Sequence, residues 1–404
     1  MSSLPSIAQD TCRMALAQEF LAAVHTQEPV TGLTHNFYRY PARFSPRFAR
    51  AAIQMFSQPG DVVLDPFMGG ATTLVEARAL GRHAVGSDIS SLSVFLAQVK
   101  TTPLLDRELG QIACWLESLQ EHLNLHLPSE RAETWQKEGY QRHVPWPIRK
   151  TLELALSRVQ ELRSARQELF ARCLLLRVGQ WALDWRERIP AAEEFRFKLF
   201  EFLDGFIKGM REYRQSVRDN APPGQSKALT ISIRSAAADL AACDAFASLP
   251  KKPTLVVASP PYPGVHVRYH RWTIHERVET AAPFWIADCL DGQGAAYYSF
   301  GDRKQLGLRS YFEGIRASFS TLRKCLTLDG LVVQIVGFSQ PDWQVDRYLE
   351  VLEQAGYEEC LPWQIGLPLG KRLWREVPGR RGFAASRRDL LTSRELVLFH
   401  RPKP

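Results

Sequence analysis

The chain is poor in several features that would settle its class quickly. None of its 404 residues belong to an apolar run long enough to cross a bilayer as a helix. The opening Met1-Ser2-Ser3-Leu4-Pro5 lacks the basic-then-apolar order of a secretory signal, so a cytoplasmic protein without a membrane partner is expected. Seven cysteines lie scattered at 12, 114, 173, 243, 289, 325 and 360, with no CxxC pair and no Cys/His group at zinc spacing. A disulfide framework and a structural metal are therefore not expected. What remains is a composition typical of a folded globular chain, with a formal charge of +8 that suits a polyanionic partner. At 404 residues the chain exceeds what one hydrophobic core usually serves, so a core with a large insertion is expected.

Two short stretches carry chemistry. The first is the strand-like Val62-Val63-Leu64, which ends at Asp65 and runs into Asp65-Pro66-Phe67-Met68-Gly69-Gly70-Ala71-Thr72-Thr73 before a helical stretch. A glycine-rich turn between a buried strand and a helix lets a ligand approach the backbone closely. A second strand ends at Asp88, where an open α/β sheet hydrogen-bonds ribose hydroxyls. The turn has neither a Gly-Lys-Ser/Thr ending nor GxGxxG spacing, and an acid at its mouth would repel a pyrophosphate. It suits a cationic, phosphate-free ligand, and S-adenosylmethionine meets that description. The other stretch is Ser259-Pro260-Pro261-Tyr262, closing the apolar run Thr254 to Ala258. Two prolines fix φ and remove two N–H groups, leaving a stiff corner whose carbonyls can accept hydrogen bonds from an amine.

Between these stretches the pattern changes. Residues 102–227 are dense in Leu, Arg, Glu and Gln with long helical periodicities over Ile148–Leu176 and Glu193–Arg218, and end in Asn220-Ala221-Pro222-Pro223-Gly224. They read as a helical insertion, either a structural bundle or a target-recognition region. Residues 1–30 form a helical lead, 31–101 a cofactor-binding half and 228–404 a catalytic half. Ser91 is expected to cap a helix over 90–101. Near the end, Gln364-Ile365-Gly366 and Glu395 to Phe399 read as two strands of a closing antiparallel pair. The loop 35–46 presents four aromatics and two prolines, a wall in which Phe44 and Pro46 are candidate cofactor contacts. Asp239 and Asp244 compete for the role of an acid near an adenine ring, with Asp239 the better candidate.

Asp65-Pro66-Phe67-Met68-Gly69-Gly70-Ala71-Thr72-Thr73, paired with Ser259-Pro260-Pro261-Tyr262, closely resembles the motif pair of amino-directed DNA methyltransferases, which modify cytosine N4 or adenine N6. The loop at 35–46 looks like the further motif bordering the methionine end of the cofactor in that family. The resemblance covers 35–100 and about 229–400. It departs at Ala71, where the family usually carries a third glycine. It implies a Rossmann-like methyltransferase sheet in an α/β fold, mostly parallel with a C-terminal antiparallel hairpin, plus the helical insertion. It also implies a cofactor, S-adenosyl-L-methionine, held by Phe44, Pro46, Asp65, Pro66, Phe67, Gly69, Gly70, Thr72, Thr73, Asp88 and Asp239.

The catalytic set expected from these motifs is Ser259, Pro260, Pro261 and Tyr262, with Tyr262 stacking on a base flipped out of double-stranded DNA. The basic, aromatic loop after the corner contributes His266, Arg268, Tyr269 and Arg271 as nucleic-acid contacts, and Lys371, Arg372, Arg375, Arg380 and Arg381 are expected on phosphates. No Pro-Cys dipeptide occurs, which speaks against covalent cytosine C5 chemistry. Serine at the first motif position leans toward cytosine N4, with a restriction or defence partner in keeping. Adenine N6, an RNA base, or a relative that binds nucleic acid without catalysis are the alternatives.

Overall fold

The computed structural model describes residues 7–40, 45–123, 125, 138–221, 228–263, 270–291, 305–362, 365–366, 371–376 and 394–404. Short β-branched and apolar runs supply the strands. Five are parallel: β1 (Val62–Asp65), β2 (His83–Asp88), β3 (Thr230–Arg234), β4 (Leu255–Ala258) and β7 (Leu331–Gly337). β5 (Trp272–Ile274) and β6 (Val278–Thr280) form a separate hairpin. The last strand, β10 (Arg394–Pro402), runs antiparallel to β7, and β8 (Tyr357–Glu359) and β9 (Leu373–Glu376) each pair antiparallel with it. The main sheet is thus β3-β2-β1-β4-β7-β10-β8, with β9 also on β10. β1, β4 and β7 are buried along their whole length, as their unbroken apolar runs require when both faces are covered.

The helices cover those faces. α1 (Ile7–Val24), α2 (Pro46–Phe56) and α3 (Thr72–Ala79) pack Phe20, Phe48 and Leu74 against Val63, Val333 and Ile335. On the opposite face α11 (Gln305–Cys325) and α12 (Pro341–Gln354) place Ile315, Phe319 and Tyr348 against Leu64, Val256 and Val332. α4 (Ser91–Thr101) follows β2, and the insertion contains α5 (Asp106–His122), α6 (Trp146–Arg158), α7 (Ala165–Leu183) and α8 (Ala192–Asp219). Two short helices, α9 (Asp244–Ala247) and α10 (Ala282–Ala287), flank β4 and the hairpin. No helix among the described residues is long and apolar enough to cross a membrane.

The insertion shares its core with the rest of the chain. Trp115, Ile148, Leu174, Phe195 and Phe206 share one apolar cluster with Phe37 and Tyr38 of the aromatic loop and with Trp272 and Phe284 beyond the Pro260-Pro261 corner. Phe37 lies stacked on Phe206, ring centres 4.1 Å apart and planes 3° from parallel. Trp272 Nε1 donates to the Tyr38 hydroxyl at 3.0 Å. These contacts tie three distant parts of the chain into one packed unit.

Three local expectations are corrected. The helix at 91–101 has Ser90, not Ser91, in the cap position, and neither side chain caps it. Ser90 Oγ bonds His270 Nδ1 at 3.1 Å and Ser91 Oγ donates to the Leu290 carbonyl instead. The periodicity over 148–176 is two helices, because the chain turns through Val159–Glu161 and is extended at Ser164 (φ −150°) before α7. Ile365 sits in a turn, its N–H on the Pro362 carbonyl at 3.0 Å, so the strands that join β10 besides β7 are β8 and β9; Gln364 lies outside the described residues.

Candidate active site

β1 has β2 on one side and β4 on the other, so the chain's winding reverses between β1 and β4. In an open α/β sheet, ligands bind outside the carboxyl ends of the strands at that switch. Both motifs stand there. The Asp65 carboxylate is fully buried at the end of β1; its Oδ1 accepts the Phe67 N–H at 3.1 Å, while Oδ2 has no hydrogen-bond partner. Burial pushes this carboxyl up to about 7, against the opposing pull of its donors. Asp88, at the end of β2, accepts the Gly69 N–H on Oδ2 at 3.0 Å and the Ser90 N–H on Oδ1 at 2.8 Å. Burial raises it to about 6.

The glycine turn is held from both sides. Gly69 has φ +42°, and a Cβ on Gly69 or Gly70 would stand 2.9 Å from the Tyr40 side chain, so the two glycines make room for that ring. Lys100, buried on α4, donates to the Gly70 carbonyl at 2.8 Å. Ala71, the departure from the family's glycine, does adopt the left-handed conformation (φ +62°, ψ +29°) at the start of α3. Such a conformation costs a non-glycine residue roughly 1–2 kcal/mol. The buried methyl returns about 0.8 kcal/mol, and alanine's stiffer unfolded chain a further 0.4–1 kcal/mol. The terms nearly cancel, and alanine is tolerated. Thr73 Oγ donates to the Val257 carbonyl at 3.0 Å, pinning α3 to the strand that ends in the Ser259-Pro260-Pro261-Tyr262 corner.

At that corner the Tyr311 hydroxyl donates to the Pro261 carbonyl at 2.9 Å. Ser259 Oγ lies 3.4 Å from the Tyr262 hydroxyl, which in turn donates to Glu395 Oε1 at 2.6 Å. The Tyr262 ring packs against Gly337 of β7: a Cβ on Gly337 would meet Tyr262 Cε2 at 2.7 Å. Across the β9–β10 ladder Arg375 faces Glu395, Nε to Oε2 at 3.5 Å.

A cleft of about 1780 Å³ joins the two motifs. It exceeds the 300–1,000 Å³ or so of an ordinary small-molecule pocket, leaving room beyond one cofactor. Pro66, Phe67, Gly69, Gly70, Thr72 and Asp88 line it, as do all four corner residues. The far wall comes from the insertion, through Arg177, Gln180, Trp181, Asp184, Trp185 and Arg186. Gln180 clamps the aromatic loop, donating to the Arg39 carbonyl at 2.9 Å and accepting its N–H at 3.1 Å. Trp185 stands 66% exposed at a left-handed turn (φ +53°) whose N–H bonds the Thr273 carbonyl of the hairpin at 2.8 Å.

Other expected site residues lie elsewhere. Asp65, Thr73 and Pro46 do not reach the cleft: the first two are buried supports of the turn and Pro46 opens α2. Asp239 faces solvent on the turn after β3, where Ser235, Ala236 and Ala237 line the cleft instead. Arg375 is 4% exposed and paired with Glu395, so it cannot serve as an outer phosphate contact. Arg372 is engaged by both oxygens of Glu359 at 2.9 and 3.0 Å, Arg271 is paired with Asp291, and Lys371 is exposed. Phe44, His266, Arg268, Tyr269, Arg380 and Arg381 lie outside the described residues. Lys100, Tyr40 and Glu395 were not read from the sequence as site residues; only the aromatic density around Tyr40 signalled any of them.

At the glycine turn the cleft presents the Asp88 carboxylate. Asp88 keeps lone pairs beyond the two N–H groups it accepts, and Lys100 points its charge at a carbonyl and does not line the cleft. A family model described as DNA methylase matches residues 19–98. The Type II methyltransferase M.MvaI of Kocuria varians is 35% identical over 120 residues, which is 26% of this chain and 26% of that protein. M.MjaII of Methanocaldococcus jannaschii is 35% identical over 66 residues (16% and 12%), and M.BsoBI of Geobacillus stearothermophilus is 40% identical over 60 (15% and 12%). The chain therefore spans about a quarter or less of the length of the curated relatives it matches. Two solved structures overlap it loosely: TrmN from Thermus thermophilus (TM-score 0.34, 11% identity, 91% of this chain and 52% of that one), and the rRNA methyltransferase aviRa from Streptomyces viridochromogenes (0.30, 11%, 98% and 94%). In its matched cofactor-binding half, joined at the switch point to Ser259-Pro260-Pro261-Tyr262, the chain is similar to the amino-directed DNA methyltransferases.

Proposed function

We propose that this protein methylates an exocyclic amine of a base in double-stranded DNA, cytosine N4 in particular, with S-adenosylmethionine as donor. The observation that carries the reading is the single cleft on which the Asp88 carboxylate, the glycine turn and the Ser259-Pro260-Pro261-Tyr262 corner all open. An exocyclic amine is a weak nucleophile because its lone pair is delocalised into the ring. Hydrogen bonds from its two hydrogens to Ser259 Oγ and the Pro260 carbonyl favour a pyramidal nitrogen with the lone pair free to attack. When bound, the donor supplies an electrophilic methyl on a sulfonium. Asp88 is suited to accept its ribose hydroxyls and the Gly69-Gly70 turn to lie against its amino-acid end.

A base inside a duplex cannot reach the corner, so flipping is part of the reading. The size of the cleft and its insertion wall, where Arg186 lies over Trp181 at 4.9 Å and Trp185 stands exposed, support a role for α7 and α8 in holding the DNA. Ser259 supports cytosine N4, since family members acting on adenine more often carry Asp or Asn there.

Labelled methyl transfer to duplex DNA and to structured RNA, followed by sequencing that separates N4-methylcytosine from N6-methyladenine, tests the reading. The expected outcome is label in duplex DNA on cytosine N4. Ser259→Ala should cut turnover at least tenfold with cofactor affinity nearly intact. Asp88→Ala should do the reverse, weakening the cofactor by the ~1.5–3 kcal/mol of hydrogen bonds to a charged group. Full activity in Ser259→Ala would overturn the mechanism.

A further inference from the structure

An amine that gains a methyl must lose a proton, and nothing in the two motifs takes it. A serine hydroxyl accepts the hydrogen bond but is too weak a base to keep the proton. The geometry points to Glu395 as the final acceptor, reached from Ser259 through the Tyr262 hydroxyl; this rests on the reading of the corner given above. We propose that Ser259, Tyr262 and Glu395 form a proton relay out of the catalytic corner.

Three observations carry it. The first is continuity: Ser259 Oγ and the Tyr262 hydroxyl are 3.4 Å apart, and that hydroxyl and Glu395 Oε1 are 2.6 Å apart. The second is polarity. An ionised carboxylate only accepts, so Tyr262 must donate to Glu395, Ser259 in turn donates to Tyr262, and the serine lone pairs are left to accept from an amine. Every donor in the chain then points away from the substrate.

The third is what Arg375 fails to do. A purely structural buried pair would close as a bidentate fork. Here Nε lies 3.5 Å from Oε2, and Nε and Nη1 of this 4%-exposed guanidinium have no hydrogen-bond partner among the described residues. Arg375 sets a positive charge beside Glu395 without occupying Oε1, which stays with the tyrosine. Gly337 completes the arrangement: it lies opposite Glu395 in the β7–β10 ladder, and the ring of Tyr262 occupies the space its side chain would take.

In the step itself the nitrogen lone pair forms the new N–C bond while the donor's C–S bond breaks with its electron pair left on sulfur. The N–H proton passes to Ser259 Oγ as the serine proton passes to Tyr262 and the tyrosine proton to Glu395 Oε1. One positive charge disappears from the donor and one negative charge from the glutamate, and Glu395 later releases its proton to solvent.

The test uses the full-length protein and unmethylated duplex DNA from a methylation-deficient bacterium. Single-turnover transfer is followed against pH for the wild type, Glu395→Gln, Tyr262→Phe and the double variant, with cofactor affinity measured in parallel. Glu395→Gln is expected to slow transfer about 10²-fold and to flatten the acid limb of the pH profile, with cofactor affinity within about twofold. Tyr262→Phe keeps the ring but breaks the relay, so it should lose as much, and the double variant no more than either alone. Wild-type rate and profile in Glu395→Gln, a harmless Tyr262→Phe, or losses that multiply would overturn the relay.

A second reading needs no cofactor or DNA. Tyrosine absorbance should shift as Glu395 ionises in the wild type and stay flat in both single variants. An identical titration in all three proteins would overturn the bond on which the relay depends. A wild type that methylates no DNA would instead sink the proposed function, while the absorbance titration still decides the Tyr262–Glu395 bond.

Discussion

Asp65 is the residue whose chemistry and environment disagree most. It ends β1 with no exposed surface, one oxygen on the Phe67 N–H and the other unpartnered, and burial lifts its carboxyl to about 7. A carboxyl whose folded value is raised above its unfolded one favours the native state most when protonated. That stability is fully present below the ordinary carboxylate range and is lost as pH rises through about 7. Asp65→Asn removes the charge and should therefore gain on the wild type as pH climbs, by roughly 1.4 kcal/mol for each pH unit crossed between the two values. Denaturant melts at pH 4, 6 and 8 read this directly, and a constant difference across the three would sink it. Asp88, raised to about 6 by burial, acts in the same direction on stability but faces the cleft. Its ionised form is the better acceptor of hydroxyls, so cofactor affinity should weaken below about pH 6.

The elements that build the site divide by how far apart their partners lie in sequence. β1, its turn, α3 and β2 follow one another within residues 62–88, and each announces itself locally through an apolar run, a glycine pair or a terminal acid. They were legible for that reason. The support beneath them was not, because it is made of contacts between residues with no local signature: Thr73 to the Val257 carbonyl at a separation of 184 residues, Tyr262 to Glu395 at 133. Arg375 shows the cost of reading composition alone. Among the arginines of its segment it looks like a phosphate contact, yet strand pairing sets it opposite Glu395 and buries it. The same pairing yields a prediction at this scale. Gly337 has an ordinary strand conformation, so Gly337→Ala carries no backbone strain, but its Cβ would stand 2.7 Å from the Tyr262 ring. The ring must move, at an overpacking cost of about 1–3 kcal/mol. Methyl transfer should fall more than tenfold while cofactor affinity, set across the cleft by Asp88 and the turn, is unchanged; equal losses in both would show general damage to the sheet.

At the scale of the whole molecule, the insertion packs into one body with the segments that line the cleft. Its periodicity revealed helices, but helical periodicity does not say what the apolar faces pack against, and here they pack on Phe37, Tyr38, Trp272 and Phe284 from either side of it in sequence. Those residues belong to the loop that walls the cleft and to the segment that follows the catalytic corner. The two sheet-face clusters hold the motifs, and the third cluster holds the cleft's far wall against them. Heat should then unfold the protein in one transition, since one apolar cluster runs through the insertion, the aromatic loop and the segment after the corner. Phe206 is the sharpest probe: it is 2% exposed, stacked on Phe37 and edge-on to Phe170, and far in sequence from both motifs. Phe206→Ala should cost about 3–5 kcal/mol in global stability. Because Phe37 leans on it, the variant should also weaken cofactor binding through the displaced aromatic loop. Calorimetric unfolding of the wild type and of Phe206→Ala, with cofactor titrations on each, separates the outcomes: two resolved transitions, with only one shifted by the substitution and cofactor affinity untouched, would mean that the insertion is an independent domain after all.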